Sequence, residues 1–360
     1  MLCIVMLWYG GLALMAQDST AVEQPKKESW LRRTLHGFTY IDERYVEPQH
    51  YNWSVMLQAT HSYDYFRLKS NSGQSLTFAP SPNLKIGPYF GWRWIFAGYT
   101  FDIKNLNVSS NSEKFQIDLS FYAAQIGVDL YYRKTNNNYR VRDVDFGRNV
   151  DMRRLEGRDF DGLSVGVTGF NLYYIFNHQR FSYPAAFAQS TCQKISCGSW
   201  MAGIGYRENT LLFDHEELEQ LVEKYGNTTE RLDSSLMFNK VKYFDYNISG
   251  GYAYNWVFAR NCLFCASLSL ALSYKKSKGD TDTEEDQGFS FNNLNLDGIG
   301  RFAVVYNNTR WYAGASAIVH SYNYKKSRFS TNNLFGSLNI YVGYNFGARG
   351  PYKKSKKVNK

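Results

Sequence analysis

The chain has 360 residues, enough for two ordinary soluble domains or one large barrel. Charged residues make up only 20% and aromatic residues 17%, with Tyr alone numbering 29, a balance that suits alternating strands and remains compatible with a soluble all-β sandwich. The net charge of +9 does not argue for nucleic acid, because the tail "GPYKKSKKVNK" alone supplies five lysines and no stripe of basic residues occurs elsewhere.

The chain begins "MLCIVMLWYGGLALMAQDST", an apolar run ending in small residues, which predicts a signal peptide over 1–16 with cleavage after Ala16. No Lys or Arg precedes the run, a departure from the usual signal pattern. The run falls short of the roughly 20 residues a spanning helix needs, and no later apolar segment reaches that length. Residues 17–49 read as a short periplasmic segment, in which Trp30, Leu31, Leu35 and Phe38 form an amphipathic turn or two.

From residue 50 a period of two takes over. In "YNWSVMLQATHSYDY" the residues Tyr51, Trp53, Val55, Leu57 and Ala59 alternate with Asn52, Ser54, Gln58 and Thr60. The pattern returns in "KYFDYNISGGYAYNW", "CLFCASLSLALSY" and "NLFGSLNIYVGYNF". Strands this long, with one apolar and one polar or small face, fit an outer-membrane barrel whose apolar face meets lipid. Only a closed sheet pairs every amide in hydrocarbon without helices. The predicted fold is an all-β, antiparallel up-and-down transmembrane β-barrel over 50–346. It has about 12 strands: 50–67, 76–91, 94–106, 114–123, 125–135, 162–177, 195–207, 238–256, 262–276, 289–306, 310–325 and 332–346. Residues 347–360 read as a basic disordered tail.

An even strand count puts both termini in the periplasm of a Gram-negative cell. Short links at 91–93, 123–124, 257–261 and 307–309 face that side, and longer loops near 68–75, 107–113, 136–161, 208–237, 277–288 and 326–331 face outward. Trp53, Trp92, Trp94, Trp200, Trp256 and Trp311 gather near strand ends on the short-turn side, as an interfacial girdle would. The loop "DHEELEQLVEKYG" predicts a short helix, capped by Asp214 with Glu217 completing a capping box, and stopped at Gly226. The loop "RVRDVDFGRNVDMRRLEGRDFDG" reads as a mixed-charge surface loop near lipid headgroups, and "GDTDTEEDQG" as a solvated acidic loop.

Three stretches, "YIDERYVEPQHYNW", "GPYFGWRWIFAGYTFD" and "YYIFNHQRFSYPAAFAQSTCQK", resemble an uncharacterised family of Bacteroidota outer-membrane proteins catalogued only as a domain of unknown function. The resemblance runs from about Trp30 to Phe346. It implies fold and location, and it supplies no catalytic residues.

Chemistry is sparse. His178 lies near Ser182, Ser190 and Ser196, the one cluster that suggests an outer-membrane hydrolase, but neither a Gly-x-Ser-x-Gly elbow nor a His-Glu-x-x-His run is present. An enzyme is therefore the lesser reading, and no cofactor or metal is implied. Cys192, Cys197, Cys262 and Cys265 read as free or locally paired thiols, with Cys262 and Cys265 on opposite strand faces. Strand parity turns Asp64, Asp102, Asp118, Asp129, Asp245 and Asp297 into the lumen, with Lys104, Arg133 and Arg301. Such charges either select a solute or pair structurally, and inward Gly and Ser leave room for an occupant. Residues 178–194 are too long for a periplasmic turn, and Pro184 argues against a strand there. Phe181, Tyr183, Phe187 and Gln189 are thus expected either to constrict the barrel mouth or to lie along the interface. The leading reading is a pore or solute-handling barrel, with a structural or adhesive surface barrel as a further alternative. Its expected partners are outer-membrane lipid, lipopolysaccharide and the barrel-assembly machinery.

Overall fold

Alternating sequences make strands whose two faces part company, and this chain uses that property throughout. A computed structural model describes residues 40–80, 83–92, 95–98, 101–102, 114–136, 139–147, 152–226, 231–279, 293–325 and 329–352. All belong to the second of two compact units, Thr39–Lys360. The expected signal peptide and the expected amphipathic turn over 30–38 lie outside the described residues, as do Trp94, Lys104, the acidic run from Asp280 and the lysines of the tail.

In chain order the first strands are β1 (Val46–Pro48), β2 (Tyr51–Ser70), β3 (Ser75–Pro80), β4 (Asn83–Trp92), β5 (Ile95–Gly98) and β6 (Phe101–Asp102). Then come β7 (Lys114–Tyr122), β8 (Ile126–Asn136), β9 (Tyr139–Asp145), β10 (Asp159–Phe160) and β11 (Leu163–Ile175). Helix α1 (Tyr183–Phe187), β12 (Thr191–Gln193), β13 (Cys197–Phe213) and helix α2 (His215–Tyr225) follow. The chain closes with β14 (Lys240–Ala259), β15 (Cys262–Gly279), β16 (Leu294–Asn307), β17 (Trp311–Lys325) and β18 (Phe329–Ala348).

Sixteen of these strands form one antiparallel sheet, where the period predicts about twelve. The difference has two causes. The second and third predicted strands are each divided, into β3 and β4 and into β5 and β6, and the hairpin β9–β10 is an addition built from a loop. The remaining long strands follow one another as neighbours, and β2 pairs with β18 from Tyr51–Ala348 to Ser70–Phe329. Pairing of the first long strand with the last is expected of an up-and-down barrel, while among the described residues β7 pairs only with β8, and β5 and β6 only with β4; the fold is of the outer-membrane type.

The burial pattern is the inverse of a soluble protein's. Leu268, Leu270 and Leu272 on β15 are each more than half exposed, while Ser267, Ser273 and Lys275 on the other face are buried. Trp53, Trp92, Trp200, Trp256 and Trp311 all point outward and are exposed, as the girdle requires. A polar interior inside an apolar shell is the arrangement that lipid selects.

One end carries tight turns, such as Arg260–Asn261 and Asn308–Arg310. At the opposite end the expected mixed-charge surface loop is not a loop lying on the surface. It forms β9, which pairs with β3, and it sends Tyr139, Val141, Met152, Leu155 and Phe160 into a buried apolar cluster. Helix α2 adds Leu218 and Val222 to that cluster. This dome covers the long-loop end of the barrel.

Candidate functional site

The interior and the inserted segment after β11 are where the chain departs from a plain barrel. Ser182 caps α1, its side chain accepting from the Ala185 amide at 3.2 Å, and Pro184 sits in the first turn, where its missing N–H costs nothing. The helix lies inside the short-turn mouth. Phe181 and Tyr183 are fully buried, Tyr183 donates to Ser267 at 3.2 Å, and Phe187 packs beside Tyr183 with ring centroids 4.8 Å apart. Gln189 donates to the Tyr341 hydroxyl at 2.7 Å, and its carbonyl accepts from Asn307 at 3.2 Å. Tyr183 and Gln189 thus contact β15, β16 and β18 directly, and Phe181 and Phe187 pack beside Tyr183.

The segment is also tied to the chain's beginning. β1 pairs with β12, Val46 facing Gln193 and Pro48 facing Thr191. Thus two of the stretches that carry the family resemblance bind each other. Gln193 is the hub: its amide nitrogen donates to the carbonyls of Arg180 at 2.6 Å and Ile195 at 2.9 Å. Its amide oxygen accepts from the Ser182 backbone at 2.8 Å and from Asn255 in the barrel wall at 3.1 Å. A side chain that satisfies four partners in a buried place holds segment, wall and N-terminal strand in one arrangement.

Deeper in the barrel the predicted inward charges converge. Asp297 accepts from Arg207 at 2.9 Å, from Lys275 at 2.9 Å, from Ser273 at 2.7 Å and from the Asn323 amide at 3.0 Å. Asp245 bonds Arg207 as well and lies 3.7 Å from Lys275. Two cations face two anions, all four nearly inaccessible to water. Nearer the short-turn end Arg301 pairs with Asp129 at 2.6 Å, and Ser120 donates to the same carboxylate at 2.7 Å. Asp64 accepts a longer bond from Tyr139, at 3.4 Å, and Arg133 stacks 4.6 Å from the Phe335 ring centroid. Asp102 and Asp118 sit on β6 and β7, and their side chains lie outside the described residues.

Among the described acids, Asp129, Asp245 and Asp297 are paired with cations. Arg207 and Lys275 were missed. Arg207 ends the predicted strand 195–207, and Lys275 lies one residue from the end of the predicted strand 262–276. The signal was present, since register sets Arg207, Asp245 and Lys275 side by side. The room expected from inward glycines is taken: Tyr173 lies over Gly127 and Tyr312 over Gly343, where an added Cβ would come within 2.2 Å and 2.1 Å of the rings.

The hydrolase cluster does not assemble. Ser182 shares its hydroxyl with Thr191 at 2.7 Å, Ser196 accepts from the Val257 amide at 2.9 Å, and both ring nitrogens of His178 are buried without a partner. The four cysteines are free, with Cys265 buried on the inner face opposite to Cys262. Among the described residues no three metal-ligating side chains converge.

Among solved structures, the outer-membrane protease OmpT from Escherichia coli is 8% identical, with 82% of this chain and 97% of that chain covered and a TM-score of 0.34. The outer membrane protein OprG from Pseudomonas aeruginosa is 12% identical, with 84% and 99% covered and a TM-score of 0.23. A Pseudomonas aeruginosa FadL homologue is 9% identical, with 82% and 90% covered and a TM-score of 0.23. At these values no activity or substrate passes from those proteins to this one. Among curated proteins none matches the sequence. Residues 40–346 match the family described as domain of unknown function DUF4421, which spans β1, the inserted segment and nearly all of the barrel, and the chain belongs to that family.

Proposed function

We propose that the protein is a solute-handling barrel of the outer membrane that is closed at rest, with 178–194 as its movable stopper and both termini on the periplasmic side. The observation that carries this reading is how the stopper is held. It is a short helix and a three-residue strand, fixed to the wall by polar side chains such as Asn255, Asn307, Ser267 and Tyr341 and by two small apolar clusters, Phe181 and Tyr183 with Tyr173, Ile175 and Met201, and Ala185 and Ala186 with Leu263, Ala303 and Val305. The polar contacts exchange for water, and the two apolar clusters are small and separate, so the attachment is looser than a continuous apolar interface would be. The stopper is joined to the N-terminal strand β1, so movement of that strand would be passed directly to it.

Planar-bilayer recording tests this. The intact protein should be nearly silent, and a variant with 179–192 replaced by a short Gly-Ser turn should show channel openings. A stopperless barrel that folds and stays silent would leave the interior charges as structural filling and favour a surface or structural role. That second reading has an observation of its own, the apolar dome over the long-loop end.

A further inference from the structure

The lipid-facing wall is not uniform. On the outer face of β8, β11 and β13, Thr168 sits in a row of large residues: Leu130 and Tyr132 on one side, Phe170 below it and Tyr206 on the other. Its small side chain leaves an apolar notch of ≈ 320 Å³ lined by these five residues with Tyr131 and Gly169. Towards the long-loop end the next outward-facing row reads Lys134, Gly166, Thr210 and Lys242 in register across β8, β11, β13 and β14. Gly166 and Thr210 keep the centre of that row low, and an added Cβ at Gly166 would meet nothing closer than Thr210 at 3.8 Å. Lys134 and Lys276 are exposed, Lys242 is half-buried, and Lys240 stands exposed one row further out. Glu208 takes one bond from Lys242 at 2.6 Å and is the single carboxylate in these two rows.

A trough with apolar walls below and ammonium groups at its upper rim has the polarity of a lipid. An acyl chain fits the notch, and the anionic head meets the lysines. We infer that the outer face of β8, β11 and β13 is a binding site for a phosphate-bearing lipid of the outer leaflet, with one acyl chain beside Thr168 and a phosphate between Lys134 and Lys242. Lysines at a bilayer surface gain from anionic headgroups, while the aromatic residues beneath them fix the depth of the interface. The inference rests on the orientation proposed above, because only the long-loop end can then meet the outer leaflet.

The test is native mass spectrometry of the folded barrel in detergent, titrated with monophosphoryl lipid A, with the same lipid after removal of its phosphate, and with phosphatidylglycerol. Wild type should retain monophosphoryl lipid A, with at least about tenfold weaker retention in K134E/K242E and in T168W. The outward variant I340W, on another part of the wall, should bind as wild type does. Heat-dependent gel migration confirms that each variant is folded. Equal binding by wild type and K134E/K242E, or by lipid with and without phosphate, overturns the site. Equal retention of phosphatidylglycerol overturns its assignment to the outer leaflet. Surface labelling in whole cells of a cysteine placed at the exposed Ser234 reports the orientation separately, so failure of that reading is distinguishable from failure of the site.

Discussion

At the scale of single residues, Gln193 shows how much one buried amide can organise. Its replacement by Leu keeps the volume and strands the Ser182 amide, the Asn255 side chain and two carbonyls, each lost bond costing about 1–3 kcal/mol. The barrel ladder does not depend on it, so Q193L should fold with a loosened stopper. The neighbouring Cys192 provides the readout. Burial, with the Glu47 carboxylate nearby, pushes its thiol up to about 12, and only thiolates react readily. Maleimide at pH 8 should therefore label Cys192 slowly in wild type and at least about tenfold faster in Q193L. Unchanged labelling would mean that the stopper is held by other contacts. In the dome, hydrogen bonds from Ser72 and Ser235 hold the Asp233 carboxyl down at about 2. A depressed carboxylate stabilises the folded form above its unfolded value of about 4, and that contribution is lost as pH falls through about 2. Pepsin cleavage near 231–239 should rise between pH 4 and 2 in wild type, whereas D233N should show no such rise. None of these partners was legible in advance, because Gln193 and Asp233 owe their roles to chain segments that meet only after folding.

At the scale of elements, helix α2 was legible and its cap only half so. Asp214 accepts from the Glu217 amide at 3.0 Å, as a cap should. Glu217 does not return the bond, because the Asp214 amide is already given to Gly162 at 2.7 Å, and its carboxylate instead accepts from Asp161 at 3.3 Å. The helix is thus stitched to the entry of β11. D214A should cost about 1 kcal/mol locally, seen as faster hydrogen exchange over 215–225 with β13 and β14 unchanged. Loss of protection along those strands as well would show that the helix supports the barrel itself. The long strands were readable because a period of two survives over more than a dozen residues, as in β14 and β15. The hairpin β9–β10 was not, because Tyr139, Val141 and Val144 stand among Arg140, Arg142 and Asp143, and the strand that β9 completes, β3, is remote in sequence. Local pattern shows which face a residue takes. It is silent on which distant edge needs covering.

At the scale of the molecule, the interior raises the question of why a barrel should bury four charges so thoroughly. Arg207, Lys275, Asp245 and Asp297 balance one another, and β13, β14, β15 and β16 each contribute one of them, so the cluster ties four neighbouring staves together across the lumen. Removing one member leaves an uncompensated charge in a place water does not reach, at a cost of about 3–5 kcal/mol. K275M should therefore strongly lower the unfolding midpoint in urea, read by tryptophan fluorescence in detergent, since the outward tryptophans report the wall. D297N should do the same. The double variant K275M/D297N removes one charge of each sign and should be clearly less destabilised than the two single effects added together, because contacting residues couple. If the two losses simply add, the charges act independently and the network is not what joins the staves. If they couple, the barrel's middle is held by a neutral cross-brace, and the part free to move is confined to the stopper at its short-turn mouth.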